Sequence, residues 1–262
     1  MFAVSGNTRL YWESAGSGQP LLLVMGLGMA ATGWWRTIPA LAGELRVISF
    51  DNRGVGRSDQ PRGRYTMAQM AEDAINVLDA ANVADASVYG ISMGGMIAQE
   101  LALRHPERVR ALVLGATTAG GRKQTLPETE VLDSFRRRPW LPAEEAVWAS
   151  VPYVYSRATR EKHVVRIGED VVQRLRFPPT RDGYLAQASA ARWHDTNGRL
   201  GSIDAPTLVL HGTEDQIVPR ANGERLVDSI PNARLEILED AGHLYPTDAP
   251  EAAHTVLRFL LG

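Results

Sequence analysis

Short apolar segments recur through residues 1–118 and alternate with segments of helical periodicity. Their continuous apolar character is typical of strands that are covered on both faces of a sheet. Residues 2–15 instead alternate loosely between apolar and polar positions, which predicts a hairpin with one solvated face. The strands predicted after this hairpin are 21–24, 46–50, 86–89 and 108–115, and the helices are 34–41, 66–78 and 96–103.

The alternation of strand and helix stops near residue 119 and resumes near residue 200. Residues 119–199 contain helical patterns, charges and prolines but no convincing buried strand. We therefore predict a core of residues 1–118 and 200–262, with a mostly parallel sheet and helices on both faces, and a helical cap of residues 119–199. The strands predicted after the cap are 207–210 and 234–238, and the helices are 219–230 and 249–261.

Composition narrows the function classes. The chain has 262 residues, of which 44% are hydrophobic and 22% are charged, as expected for a globular protein with a sizeable core. The formal charge of −2 indicates no basic surface for nucleic acid, and the absence of cysteine excludes disulfides, thiolate nucleophiles and cysteine metal sites. No segment resembles a signal peptide or a membrane span, so we expect a cytoplasmic protein.

A serine lies between a predicted strand and a predicted helix in the sequence Gly90-Ile91-Ser92-Met93-Gly94. A sharp turn at this place would hold the serine in a strained backbone conformation and expose its hydroxyl. Gly90 and Gly94 suit such a turn because a Cβ atom on either residue would collide with it. Ser92 is therefore the candidate nucleophile, and the N-terminus of the following helix points at whatever the serine holds.

A serine hydroxyl becomes a good nucleophile only when a base takes its proton, and the chain has six histidines. His243 is the candidate base because it follows the last predicted strand and precedes the last helix, at the sheet edge where Ser92 also lies. His211 directly follows a buried strand and is interpreted as a packed, hydrogen-bonded residue. The remaining four lie at a helix end, in the cap or in the last helix: His105, His163, His194 and His254.

The imidazole needs a carboxylate that fixes its tautomer and stabilises its charged form. Asp215 follows a predicted strand and precedes a helix, so it reaches the same edge of the sheet as His243. Glu214 is adjacent but would point elsewhere, and Asp240 is better placed to structure its own loop. We therefore predict that Asp215 is the partner of His243, which gives the order Ser, Asp, His along the chain.

Five segments together carry a resemblance to a known family: residues 51–58, 90–95 and 105–109, and the loops that contain Asp215 and His243. Over essentially its whole length the chain resembles the α/β-hydrolases. The closest resemblance is to 3-oxoadipate enol-lactonases, aclacinomycin-type methylesterases and cofactor-free haloperoxidase-like esterases. It implies a mostly parallel eight-stranded sheet flanked by helices, with the helical cap inserted after the sixth strand.

The resemblance also implies an oxyanion hole, in which two backbone N–H groups stabilise negative charge on the former carbonyl oxygen. One donor would be Met93, and the other would lie in the loop after the strand at 21–24. Members of the family often carry His-Gly before the second donor, whereas this chain has Met25-Gly26. Leu27 is therefore the predicted donor, with Gly28 as the alternative.

The same loop also matches a dinucleotide-binding motif. Residues 26–31 read G-x-G-x-x-A after a strand, and Asp51 ends a later strand. That motif leaves Ser92, Asp215 and His243 unexplained. We therefore expect no nicotinamide or other organic cofactor, and no histidine and carboxylate spacing indicates a catalytic metal.

The cap carries a basic run and several large aromatic residues. The run Arg136 to Arg138 favours a solvated face, with binding of a substrate anion as the alternative. The aromatic residues favour packing, yet a helical cap cannot bury all of them internally. We therefore expect an apolar, aromatic-rich substrate pocket between cap and core, lined by Trp34, Trp35, Trp140 and Trp148.

The predicted activity is hydrolysis of a small to medium, apolar or aromatic carboxylic ester through an acyl-enzyme intermediate. An enol-lactonase and a carbon–carbon bond hydrolase of a ring-cleavage pathway share this machinery and are the alternatives within catalysis. A non-catalytic small-ligand receptor is the alternative outside it. The expected partner is a small-molecule ester or lactone, with no nucleic acid and no membrane, and the sequence leaves open whether the chain forms a homo-oligomer.

Overall fold

The apolar runs of the chain form one sheet in the computed structural model, which describes residues 1–262. The strands are β1 (Phe2–Ser5), β2 (Thr8–Ala15), β3 (Gln19–Val24), β4 (Leu45–Phe50), β5 (Ala86–Ile91), β6 (Val109–Gly115), β7 (Thr207–Gly212) and β8 (Ala233–Leu238). Their order in the sheet is β1-β2-β4-β3-β5-β6-β7-β8. β2 pairs antiparallel with β1 and β4, and all other neighbours are parallel.

Twelve α-helices accompany the sheet. In chain order they are α1 (Thr37–Leu41), α2 (Met67–Ala80), α3 (Met93–Arg104), α4 (Thr129–Arg137), α5 (Ala143–Trp148), α6 (Val151–Val154), α7 (Arg157–Lys162), α8 (Val164–Leu175), α9 (Arg181–Arg192), α10 (Ala221–Ser229), α11 (Tyr245–Asp248) and α12 (Ala252–Leu261). None of them has the length and apolar character required to cross a membrane.

Helices cover both faces of the sheet, so the apolar side chains of its inner strands are buried. Apolar residues of α2, α3 and α10 pack in one core cluster, and those of α1 and α12 pack in a second cluster on the opposite face. β5 and β7 are consequently buried along their whole length, whereas the edge strand β8 alternates between exposed and half-buried positions. This arrangement confirms the predicted fold class.

The six helices α4 to α9 form the cap, which is inserted between the sixth and seventh strands as predicted. Its two ends meet at an isolated antiparallel bridge between Gly120 and Asp195. Two backbone hydrogen bonds hold this neck: Gly121 N–H donates to the His194 carbonyl at 2.9 Å, and Thr196 N–H donates to the Ala119 carbonyl at 3.0 Å. The cap therefore enters and leaves the core at one place.

Two helices begin three residues later than the sequence predicts. The helix predicted for 34–41 begins at Thr37, after a short 3-10 turn that ends at Trp34. The helix predicted for 249–261 begins at Ala252. Ala249 has φ −126° and ψ 74°, because a residue that precedes proline, here Pro250, avoids the helical region.

A buried ion pair provides a test of the core. Arg53 Nε lies 2.5 Å from Asp73 Oδ2, and the two side chains are 5% and 1% exposed. Asp73→Ala would leave the guanidinium buried without a partner and should lower the free energy of unfolding by about 3–5 kcal/mol. Asp133→Ala, which removes the exposed partner of Arg136, should cost at most about 1 kcal/mol. Urea denaturation measures both, and equal losses would contradict this account.

Candidate active site

Ser92 lies at the turn between β5 and α3, with φ +58° and ψ −123°. A residue other than glycine rarely adopts a positive φ, so the turn stores strain. A Cβ atom at Gly94 would overlap the carbonyl oxygen of Val24, and one at Gly90 would overlap the carbonyl oxygen of Gly94. The two glycines therefore allow the turn to pass against the end of β3.

The strained turn is fastened on both sides of the serine. The N–H of Ser92 donates to the carbonyl of Gly115 at the end of β6, at 2.8 Å. The hydroxyl of Thr117 donates to the carbonyl of Ser92 at 2.7 Å. These contacts maintain the unusual backbone conformation and leave the hydroxyl of Ser92 to interact elsewhere.

His243 lies in the loop between β8 and α11, and its Nε2 is 3.0 Å from Ser92 Oγ. Two backbone hydrogen bonds position this loop. Leu244 N–H donates to the Val154 carbonyl in the cap at 2.8 Å, and Gly242 N–H donates to the Asp248 carboxylate at 2.7 Å. The imidazole is thus buried and held in place by both core and cap.

Asp215 lies in the loop after β7, and its two carboxylate oxygens are 2.9 and 3.1 Å from Nδ1 of His243. One of them also accepts the N–H groups of Ile217 and Val218, each at 2.9 Å. Burial acts to raise the pKa of Asp215, but the charge of His243 and hydrogen bonds from His211 and His243 outweigh it, so the pKa lies well below its usual value. The carboxylate is therefore ionised at neutral pH.

His211 is packed and hydrogen-bonded, as the sequence indicates, but its place beside the aspartate was not foreseen. Its Nε2 is 2.7 Å from the Val218 carbonyl and 3.5 Å from Asp215 Oδ2. Because a carbonyl only accepts, Nε2 must carry the proton, and its N–H dipole also faces the carboxylate. His211 and Asp215 are four residues apart on either side of the end of β7, and this spacing is the sequence signal that could have indicated the contact.

The structure does not bring the other acidic and histidine candidates to this chain of hydrogen bonds. The Glu214 carboxylate accepts the N–H of Arg157 in the cap at 2.7 Å. Asp240 is exposed and has φ +53°, as expected for a residue that shapes its own loop. His105 lies at the surface and pairs with Glu72 at 2.9 Å.

Two backbone N–H groups near Ser92 lack an acceptor. The N–H of Gly28 donates to Oε1 of Gln187 in the cap at 2.8 Å, whereas that of Leu27 has no acceptor in the protein. Met93 is the first residue of α3, where an N–H has no intrahelical partner. Of the two candidates in the loop after β3, Leu27 is therefore the one with a free donor.

Asp51 and its neighbour Asn52 hold the loop after β3 through hydrogen bonds. Its carboxylate accepts the N–H of Ala31 at 2.7 Å and that of Arg57 at 2.9 Å. The neighbouring Asn52 donates to the carbonyl of Met25 at 2.9 Å. Because Asp51 is fully buried, it is not available to a ribose as the dinucleotide-binding motif requires.

A cavity of about 230 Å³ lies between the cap and the loop after β3. Its lining includes Arg138, Arg174 and Arg181 and no aspartate or glutamate. Arg136 and Arg137 are exposed, as expected for a solvated face, but Arg138 is buried. The solvated-face interpretation is therefore wrong for Arg138, which lies where the run ends in a 3-10 turn.

The predicted tryptophans do not form the wall of this cavity. Trp34 is fully buried in the core, with its ring centroid 4.8 Å from that of Tyr89. Trp140 and Trp148 are 66% and 45% exposed. Trp35 lines a second, smaller cavity. Aromatic bulk alone did not indicate which side of these short helical segments faces inward.

Residues 19–250 match the model of a protein family described as "alpha/beta hydrolase fold". RutD of Azorhizobium caulinodans, which is named as a carbamate hydrolase, is 32% identical over 265 residues, and the match covers 98% of this chain and 96% of the relative. The 2-hydroxymuconate semialdehyde hydrolase of Pseudomonas sp. is 32% identical over 259 residues, covering 92% of this chain and 86% of the relative. The solved enol-lactonase of Burkholderia xenovorans LB400 is 26% identical with a TM-score of 0.89, covering 100% of both chains.

The strain at Ser92 can be measured independently of any activity. Ser92→Gly relieves the positive φ and Ser92→Ala retains it, so the glycine variant should be the more stable by about 1 kcal/mol or more. Gly168, in the middle of α8 with open space around it, is the matched control, where alanine should stabilise by about 1 kcal/mol. Urea unfolding compares the pairs, and a more stable Ser92→Ala variant would show that the turn is not strained.

Proposed function

Because the chain belongs to the α/β-hydrolase family, we propose that it hydrolyses carboxylic esters through an acyl-enzyme formed on Ser92. One observation carries the proposal. Ser92 Oγ, the His243 imidazole and the Asp215 carboxylate form a continuous chain of hydrogen bonds. Such a chain lets a histidine take the proton of a serine while a carboxylate holds the histidine in the correct tautomer.

The first step is the attack of Ser92 Oγ on the ester carbonyl carbon. His243 accepts the hydroxyl proton at Nε2, which is already within hydrogen-bond distance of Oγ. The ionised Asp215 keeps the proton of the imidazole on Nδ1 and then stabilises the imidazolium. A tetrahedral intermediate with a negatively charged oxygen results.

In the proposed mechanism the N–H groups of Leu27 and Met93 stabilise that oxygen. Neither group has a protein acceptor to give up, and Met93 adds the positive end of the dipole of α3. Fixed donors of this kind stabilise the developing charge without reorganising during the reaction.

The intermediate collapses when the bond from the acyl carbon to the leaving oxygen breaks and His243 protonates the departing alkoxide. His243 then takes a proton from water while the water oxygen attacks the acyl carbon. The bond from that carbon to Ser92 Oγ breaks, and His243 returns the proton to Oγ as the acid leaves. The reaction balances with the ester and water alone. The proposal therefore includes a small-molecule substrate and neither a metal nor an organic cofactor.

The relatives favour two further substrates for the same machinery. The enol-lactonase is named for an enol-lactone, and the other relative is named for 2-hydroxymuconate semialdehyde. Hydrolysis of an enol-lactone and hydrolysis of a carbon–carbon bond are therefore the second candidate reactions. A small-ligand receptor on this scaffold would bind its ligand and turn nothing over.

Turnover and labelling test the nucleophile directly. The protein should hydrolyse 4-nitrophenyl butyrate, and a fluorophosphonate should add a single mass adduct to it. Ser92→Ala should lose both. If intact protein neither turns over activated esters nor takes the label, the hydrolase proposal fails and a receptor is favoured.

The role of the carboxylate can be tested without disturbing the serine. Asp215→Asn preserves the shape of the side chain but no longer holds the required tautomer, and kcat/KM should fall by roughly 10³–10⁴-fold. Asp240→Asn, an exposed carboxylate in the next loop along the sheet edge, should stay within about twofold. Similar losses in the two variants would show that Asp215 acts only through folding.

A further inference from the structure

Arg138 is a buried cation without an acidic partner. It is 8% exposed, and its guanidinium lies 5.4 and 5.6 Å from the ring centroids of Phe135 and Tyr184. Burial, followed by the positive charge of Arg174, lowers its pKa to about 10. The group is still charged at neutral pH, and no carboxylate is among the groups that influence it.

Arg174 reaches the same cavity from α8. Its Nη2 donates to the hydroxyl of Ser150 at 3.1 Å, but its Nη1 is buried without a hydrogen-bond partner. The hydroxyl of Tyr184 is also buried, and its interaction with the Arg138 guanidinium acts to raise the pKa of that arginine. Two arginines and a tyrosine hydroxyl therefore meet at one cavity, and Nη1 of Arg174 has hydrogen-bonding capacity that the protein does not use.

Asp170 of α8, which lines a second small cavity together with Arg174, already accepts several hydrogen bonds. One oxygen of Asp170 accepts the indole N–H of Trp35 at 3.0 Å and Nε–H of Arg36 at 3.1 Å. The other accepts the hydroxyl of Tyr155 at 3.1 Å and the hydroxyl of Thr247. Arg36 also pairs with Glu169 at 2.7 Å, so Asp170 is not its only counter-charge, and Arg138 is the arginine of the cavity whose pKa no carboxylate affects.

A buried charge without a counter-charge is costly, and an anion that enters the cavity would remove that cost. The guanidinium group binds carboxylates through two parallel N–H···O hydrogen bonds, which gives orientation as well as affinity. The rings of Phe135 and Tyr184 lie within cation–π distance of the Arg138 guanidinium and add to its contacts in the cavity.

The cavity is joined to Ser92 by the backbone of residues 26–28. At one end, Gly28 lines the cavity, and a Cβ on it would lie 2.8 Å from Cδ2 of Tyr184. At the other end, a Cβ on Gly26 would lie 3.1 Å from Cβ of Ser92. Gly26, which adjoins Ser92, and Gly28, which lines the cavity, are thus only two residues apart in the chain.

We propose that Arg138 and Arg174 bind a carboxylate of the substrate, so that the natural ester or lactone carries a free carboxylate at the end of its acyl chain remote from the carbonyl that Ser92 attacks. The position of the reacting carbonyl rests on the proposed function. The anion subsite rests on the arginines alone.

Two esters of equal shape test the subsite. Mono-4-nitrophenyl adipate ends in a carboxylate, whereas 4-nitrophenyl 6-methylheptanoate has an isopropyl group in the same place. The wild type should favour the adipate ester in kcat/KM by roughly tenfold to a hundredfold, as expected for one or two charge-assisted hydrogen bonds. Arg138→Gln should lose this preference. Arg137→Gln, the exposed neighbour in the same run, should keep it.

A wild type that does not prefer the adipate ester overturns the proposal, as does a preference that survives both Arg138→Gln and Arg174→Gln. Folding of each variant is checked by its own Tm. For Arg138→Gln the Tm should equal or exceed that of the wild type, because an unpaired buried charge has been removed.

Binding of adipate tests the anion subsite independently of catalysis, so it remains informative if no ester is turned over. Adipate should raise the Tm of the wild type and of Arg137→Gln but not that of Arg138→Gln, since a ligand stabilises only the state that binds it. That pattern supports the subsite even if the hydrolase proposal fails. No rise in the wild type, or an equal rise in all three proteins, overturns it.

Discussion

The site depends on how closely α3 and the serine turn approach the end of β3. There is no room for a side chain at Gly94 because the carbonyl of Val24 occupies the place that its Cβ would take. The same approach brings Gly26 against Ser92, where a Cβ on the glycine would lie 3.1 Å from Cβ and 3.6 Å from Oγ of the serine. The strained φ of Ser92 and the close approach of Gly26 to its side chain therefore follow from a single packing constraint.

The cap is a structural component of this site as well as its cover. Gln187 on α9 accepts the N–H of Gly28 and donates to the carbonyl of Arg53, each at 2.8 Å, so it ties the loop after β3 to the loop after β4. The carbonyl of Val154 on α6 likewise holds the loop of His243 through the N–H of Leu244. By occupying one of two neighbouring N–H groups, the cap leaves Leu27 as the free donor.

The sequence was sufficient where chain topology fixes position. Parallel strands end at one edge of a sheet, so Ser92, Asp215 and His243 could be placed together from the strands that precede them. It was insufficient where packing of short helices decides the outcome. A 3-10 turn after α4 buries Arg138 and exposes Trp140, and no periodicity in three residues could show which would face inward.

A crystal structure of the protein after reaction with a fluorophosphonate tests the central claim most directly, because the tetrahedral phosphorus mimics the intermediate. We expect phosphorus bonded to Oγ of Ser92, with one phosphoryl oxygen about 2.7–3.1 Å from the backbone nitrogens of both Leu27 and Met93. A phosphoryl oxygen directed away from these two nitrogens, or phosphorus bonded to another residue, would contradict the account.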